Sequence, residues 1–103
     1  MIDKLVRDKI PEIIKRKWEN CEFYIASKEE YLSFLFKKVV EEAEEILNSS
    51  NDKELKTEIA DLYEVIDAIL KEKNIDINEI NKVKQEKYKL RGWFDKKIIL
   101  TKY

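Results

Sequence analysis

Two acidic clusters hold the residues best suited to chemistry. Glu41-Glu42-Ala43-Glu44-Glu45 and Glu58-Ile59-Ala60-Asp61 each offer two carboxylates three positions apart. In a helix that spacing sets them about one turn apart, where both can close on one hard cation. Carboxylates beside an apolar stripe are costly to leave unpaired. Histidine is absent, which removes the commonest general base, the commonest transition-metal ligand and any Ser-His-Asp arrangement. Proton chemistry then falls to carboxylates, Lys, Tyr or water activated by a metal. An oxygen-only donor set suits Mg²⁺, with Mn²⁺ as the alternative, and Mg²⁺ held by carboxylates usually works on substrate phosphates.

The segments around these clusters must be helices for the spacing to count. Ser27-Lys28-Glu29-Glu30 is a capping box that opens a helix running to about Leu47, with Leu32, Leu35, Phe36, Val39, Ala43, Ile46 and Leu47 as its stripe. A polar turn, Asn48-Ser49-Ser50-Asn51, precedes a helix capped by Asp52 and reaching about Lys73. Its expected inner face is Leu55, Ile59, Leu62, Tyr63, Ile66, Ile69 and Leu70. Asp76 with Glu79 repeats the capping box and opens a last helix carrying Ile77, Ile80, Val83 and Tyr88, which ends near Arg91 with Gly92 as its C-cap. Before all of these, a helix starts near Asp8 as N-cap, with Pro11 in its first turn and Ile10, Ile13, Ile14 and Trp18 at helical spacing. Residues 22–26 and 97–101 read as short strands that could pair.

Helical geometry sorts the acids. With Leu35 at zero and about 100° per residue, Val39 and Ile46 mark the core side and Glu42 falls about 20° from Leu35. Glu45 sits about 60° further round, with Lys38 between them, while Glu41 and Glu44 turn toward solvent. On the next helix Glu58 shares a face with Leu62, Val65 and Ile69, and Asp61 lies about 60° beyond it. The short turn packs the two helices antiparallel and brings Glu42, Glu45, Glu58 and Asp61 face to face. Runs of this kind are usually solvated faces. The inward azimuth of Glu42 and Glu58, repeated on adjacent helices, favours a metal site instead.

The 103 residues suit one domain, mainly α-helical given 42% charged residues with a single Gly and a single Pro. A chain this small buries only roughly 60–65% of its unfolded surface, and Tyr31, Phe34 and Val65 widen the apolar arcs, so a homodimer or higher homo-oligomer is expected. A net charge of -1 argues against a polymeric nucleic acid partner. Cys21 is alone and has no His partner, which favours an ordinary thiol and a cytoplasmic setting. No apolar run reaches membrane-spanning length, and Met1-Ile2-Asp3-Lys4 lacks a signal peptide's apolar core.

The acid pattern, Glu-Glu-x-x-Glu followed by Glu-x-x-Asp, resembles that of the all-α nucleoside triphosphate pyrophosphohydrolases, a superfamily that includes MazG proteins, dimeric dUTPases and phosphoribosyl-ATP pyrophosphatase. Lys4-Leu5-Val6-Arg7-Asp8-Lys9-Ile10-Pro11-Glu12-Ile13-Ile14, and Arg91-Gly92-x-Phe94 followed by Lys97-Ile98-Ile99-Leu100, look like the MazG-like, phosphoribosyl-ATP-pyrophosphohydrolase-like house-cleaning branch. Together these segments span nearly the whole chain. Trp93 departs from the pattern, which has a second small residue after the glycine.

The resemblance implies a four-helix MazG-like bundle that hydrolyses a non-standard nucleoside triphosphate between its α and β phosphates, releasing a monophosphate and pyrophosphate. It maps the Mg²⁺ ligands onto Glu42, Glu45, Glu58 and Asp61, the quartet that helix geometry selects. Glu45 or Glu41 would take the proton from water. Lys38 would bridge phosphate oxygens or pair with Glu42 and Glu45. Arg7 and Lys9, at a helix start, suit a phosphate grip, against the ordinary reading as surface basics. Arg91 and Lys97 are similar. Phe94, Trp93 and Tyr31 are candidates to stack on the base, against core or dimer packing. Alternative readings are phosphoribosyl-ATP pyrophosphatase of histidine biosynthesis and a noncatalytic helical module for nucleotide binding or interaction.

Overall fold

The computed structural model describes residues 3–103. Met1 and Ile2, part of the segment weighed as a leader, lie outside the described residues. The chain is all-α, with α1 at Ile10–Arg16, α2 at Lys28–Leu47, α3 at Asp52–Lys73 and α4 at Ile77–Arg91. No helix among the described residues is long and apolar enough to cross a membrane.

Local chemistry sets most of the boundaries. The Ser27 hydroxyl accepts from the Glu30 N–H at 3.2 Å while the Glu30 carboxylate accepts from the Ser27 N–H at 3.2 Å, closing the expected box at the start of α2. Asp76 and Glu79 do the same for α4. The cap of α3 is Asn51, not Asp52: its side-chain oxygen accepts from the Glu54 N–H at 2.9 Å, which places Asp52 inside the first turn. There Asp52 still complements the helix dipole. Asn74 ends α3 in the left-handed conformation at φ 56°, and Gly92 ends α4 at φ 74°, its N–H donating to the Tyr88 carbonyl at 2.8 Å.

The first helix is shorter than its spacing suggests. Lys9, not Asp8, occupies the N-cap position, with no side-chain cap. Trp18 sits beyond the helix at φ 61°, almost fully exposed. The two expected strands do not form; the described residues contain none. Residues 22–26 are irregular and have no partner for a ladder. In the tail, Lys97 adopts φ 55°, and its N–H turns back to the Phe94 carbonyl at 3.1 Å. A left-handed residue at that point is incompatible with an extended strand.

Packing is concentrated between α2 and α3, which form an antiparallel hairpin. Leu35, 2% exposed, is the one fully buried apolar side chain among the described residues. Half-buried apolar residues continue along the two helices, Leu32, Val39 and Ile46 of α2 and Leu55, Ile59, Leu62, Val65 and Ile69 of α3. Phe36, Ala43, Leu47, Tyr63 and Ile66, expected in the same stripes, are exposed instead. The apolar arc of each helix is wider than a single partner helix can cover.

Candidate functional site

Glu42 projects from the middle of α2 into the hairpin seam and is only 8% exposed, the one buried charged residue among those described. Glu58 and Asp61 approach from α3, one turn apart and half-buried. One carboxylate oxygen from each of the three falls within 4.8 Å of the others. Glu45 shares the side but is exposed and stands outside this closest group.

Glu42 and Glu58, crowded in a partly desolvated seam, resist ionisation. Burial raises the Glu42 pKa above 4.5, and the charge of Asp61 adds to it, while Lys38 partly offsets the rise. Glu58 is raised too, by its desolvation first and then by the charges of Glu45 and Asp61. A divalent cation would offset both rises, since its charge would favour the ionised forms. The three carboxylates form an all-oxygen donor set that could hold a metal ion.

Basic residues frame the cluster. The Arg7 guanidinium reaches from the irregular N-terminal segment to α3, donating to Asp61 at 2.7 Å and also to Glu64. These two carboxylates hold the Arg7 pKa above its ordinary value, Glu64 contributing most. Lys38 is largely covered and lies 3.3 Å from Glu41 and 3.9 Å from Glu42. Lys4 joins Glu41 from the other side at 3.6 Å. Glu41 is thus held by two ammonium groups.

The remaining predicted residues are not brought to the cluster. Lys9 is exposed at the start of α1, whose Ile10 N–H already donates to the Arg7 carbonyl at 3.1 Å. A seven-residue helix makes a weak anion site in any case. Arg91, Phe94 and Lys97 are exposed at the C-terminal end, and Trp93 packs against Phe94 with ring centroids 6.2 Å apart. Among the described residues, none of the three basic or aromatic tail side chains pairs with the acids. Of the stacking candidates, Tyr31 lines a cavity about 580 Å³ in volume, walled also by Lys4, Arg7, Tyr24 and Phe34.

Two participants were missed from sequence. Glu64 extends the Glu58, Asp61 series by another three positions, a signal that was present and unused. Lys4 belongs to the N-terminal motif, yet only the folded path of that segment brings it to Glu41. No protein-family model, curated protein or solved structure matches this chain.

Proposed function

We propose that this chain is a Mg²⁺-dependent nucleoside triphosphate pyrophosphohydrolase, acting in the cytoplasm as a homodimer or larger homo-oligomer. The observation that carries the reading is the convergence of Glu42, Glu58 and Asp61 from two antiparallel helices to within 4.8 Å, beside two basic side chains delivered by the N-terminal segment. Such a set is a natural holder for the cation of a nucleotide triphosphate.

In this mechanism Glu42, Glu58 and Asp61 hold the cation. When bound, Mg²⁺ supplies charge neutralisation at the phosphates and makes water a better nucleophile. Arg7 exchanges its pairing with Asp61 and Glu64 for phosphate oxygens, a change its planar fork suits. Lys38 and Lys4 keep Glu41 occupied. The exposed Glu45, free of ion pairs among the described residues, accepts the proton of the attacking water. Attack at the α-phosphorus breaks its bond to the bridging oxygen; the electron pair leaves with pyrophosphate. A non-standard base fits the house-cleaning resemblance.

The test is pyrophosphate release from a panel of standard and modified triphosphates, with Mg²⁺ and then Mn²⁺. Release that is lost in Glu42→Gln and Asp61→Asn, with helical content unchanged, supports the proposal; full activity in both variants refutes it. Turnover of phosphoribosyl-ATP alone would favour the histidine-biosynthesis enzyme. The Arg7–Asp61 pair supports one further reading, a noncatalytic nucleotide-binding module, because it partly satisfies the cluster without a metal. Binding without hydrolysis at saturating metal would select it.

A further inference from the structure

One side of the α2–α3 hairpin forms a continuous trough. Counting about 100° per residue, Tyr31, Phe34 and Lys38 fall about 40–100° from Leu35, on the side that carries Glu42 and Glu45. On α3, Ala68 and Glu72 fall on the side that carries Asp61. The N-terminal segment crosses this side, since Lys4 reaches Glu41 and Arg7 reaches Asp61 and Glu64. Lys4 and Arg7 also belong to the wall of the 580 Å³ cavity, so they stand between it and the carboxylate cluster. That volume lies within the range of about 300–1,000 Å³ usual for small-molecule sites.

Distances along the helices suit one long ligand. At a rise of about 1.5 Å per residue, Phe34 lies about 12 Å and Tyr31 about 16 Å along α2 from Glu42, and Glu72 lies about 16 Å along α3 from Asp61. Because the helices are antiparallel, these displacements all run the same way. An extended nucleoside triphosphate with its phosphates at the cluster carries its base into the cavity.

The chemistry of the wall at this end is unlike that of a phosphate site. The half-buried Tyr31 and Phe34, with Tyr24, offer aromatic faces. Four carboxylates, Asp3, Asp8, Glu22 and Glu72, line the same cavity and make no ion pair among the described residues. Of the three cations in the wall, Lys4 and Arg7 are engaged by Glu41, Asp61 and Glu64, which leaves Lys28. Ionised carboxylates only accept hydrogen bonds. An amino group on a stacked ring gives them a donor, whereas a ring carbonyl in its place sets an acceptor against acceptors.

We infer that this cavity is a base subsite selective for amino-bearing bases, of the cytosine or adenine type, over their deaminated carbonyl counterparts. Tyr31 stacks on the ring. Glu72, the half-buried member of the four carboxylates and level with Tyr31 on a rigid helix, accepts from the amino group. The placement of the phosphates rests on the pyrophosphohydrolase reading; the selectivity of the cavity does not.

Nucleosides without phosphate, in metal-free buffer, test the cavity apart from turnover. Heteronuclear NMR titration of the full chain follows the amide signals of Leu5, Ala26 and Tyr31, one from each wall. Cytidine is expected to bind about 10-fold or more tightly than uridine, and adenosine than inosine. Glu72→Gln brings both ratios toward one, since an amide donates as well as accepts. Tyr31→Leu weakens all four nucleosides by about 10-fold and leaves the ratios in place. Helical circular dichroism checks that both variants fold, and the wild-type ratios need no variant. Equal binding within both pairs, a preference for uridine or inosine, or no nucleoside binding at millimolar concentration overturns the inference, as do ratios untouched by Glu72→Gln. A chain that shows these ratios yet releases no pyrophosphate from any triphosphate refutes the pyrophosphohydrolase reading alone. One that releases pyrophosphate and has no nucleoside preference refutes the base subsite alone.

Discussion

Arg7 and Asp61, fifty-four positions apart, meet at 2.7 Å, and Arg7 spans onward to Glu64 on the next turn of α3. The pair ties a segment without regular structure to the helix that carries two of the three clustered carboxylates. The guanidinium occupies one of the carboxylates that a cation would need. The two compete for Asp61, and a phosphate offers Arg7 an alternative partner.

Arg7→Ala is therefore expected to move two constants in opposite directions. Mg²⁺ binding, followed by isothermal titration, tightens because a neighbouring positive charge is gone. KM for the nucleotide rises because a phosphate ligand is lost. Stability changes little, as Arg7 is largely exposed and such pairs contribute about 0–1 kcal/mol. Arg7→Lys should not recover the wild-type KM, since one ammonium cannot span both carboxylates as the fork does. A KM unchanged in both variants removes Arg7 from the substrate site.

Asp61→Asn and Glu42→Gln should each lower kcat by roughly 10²-fold or more, the size of loss seen when a group that stabilises developing charge is removed. The same variants should abolish the thermal stabilisation that Mg²⁺ gives the wild type, expected at about 2.7 kcal/mol when the ion is at 100 times its Kd. Differential scanning fluorimetry with and without a chelator reads this without any assay of turnover.

The raised pKa values of Glu42 and Glu58 give a signed pH dependence. A carboxylate that protonates more readily when folded costs stability once pH rises above its ordinary value. In metal-free buffer at pH 7, Glu42→Gln should therefore unfold at a higher temperature than the wild type, and the difference should vanish as pH falls below about 4. Glu30 has the opposite sign. The Ser27 backbone N–H, then the Tyr24 hydroxyl, lower its pKa. Its contribution is present at neutral pH and lost on acidification, so Glu30→Gln should be less stable than the wild type at pH 7 and equal to it at low pH. Melting curves across this range check both signs.

Two positions outside the site test the local account of the helices. Ser27→Ala removes the cap of α2 and should cost about 1 kcal/mol. Asn74→Gly should be neutral or stabilising, because Asn74 already holds a left-handed conformation that glycine adopts without strain. Denaturant midpoints compare them; a destabilising Asn74→Gly would mean that the asparagine side chain, not its backbone, matters there.

What the sequence determined was local in cause. The two capping boxes, the polar turn and Gly92 set the ends of α2, α3 and α4, because each depends on groups within four residues of one another. The spacing of the acids then pointed Glu42, Glu58 and Asp61 into the seam, because a helix converts sequence separation directly into direction. Tertiary structure decided whatever depends on partners distant in sequence. It brought Lys4 to Glu41 and Arg7 to Asp61 and Glu64, left Glu45 at the edge of the cluster, and kept Arg91, Phe94 and Lys97 away from it. It also refused the strands, which need a partner that no local pattern supplies. Most of all it divided the apolar arcs of α2 and α3 between a covered face and an open one. Hydrophobic pattern shows which residues require burial, but only the packing of the chain shows which of them it can bury alone.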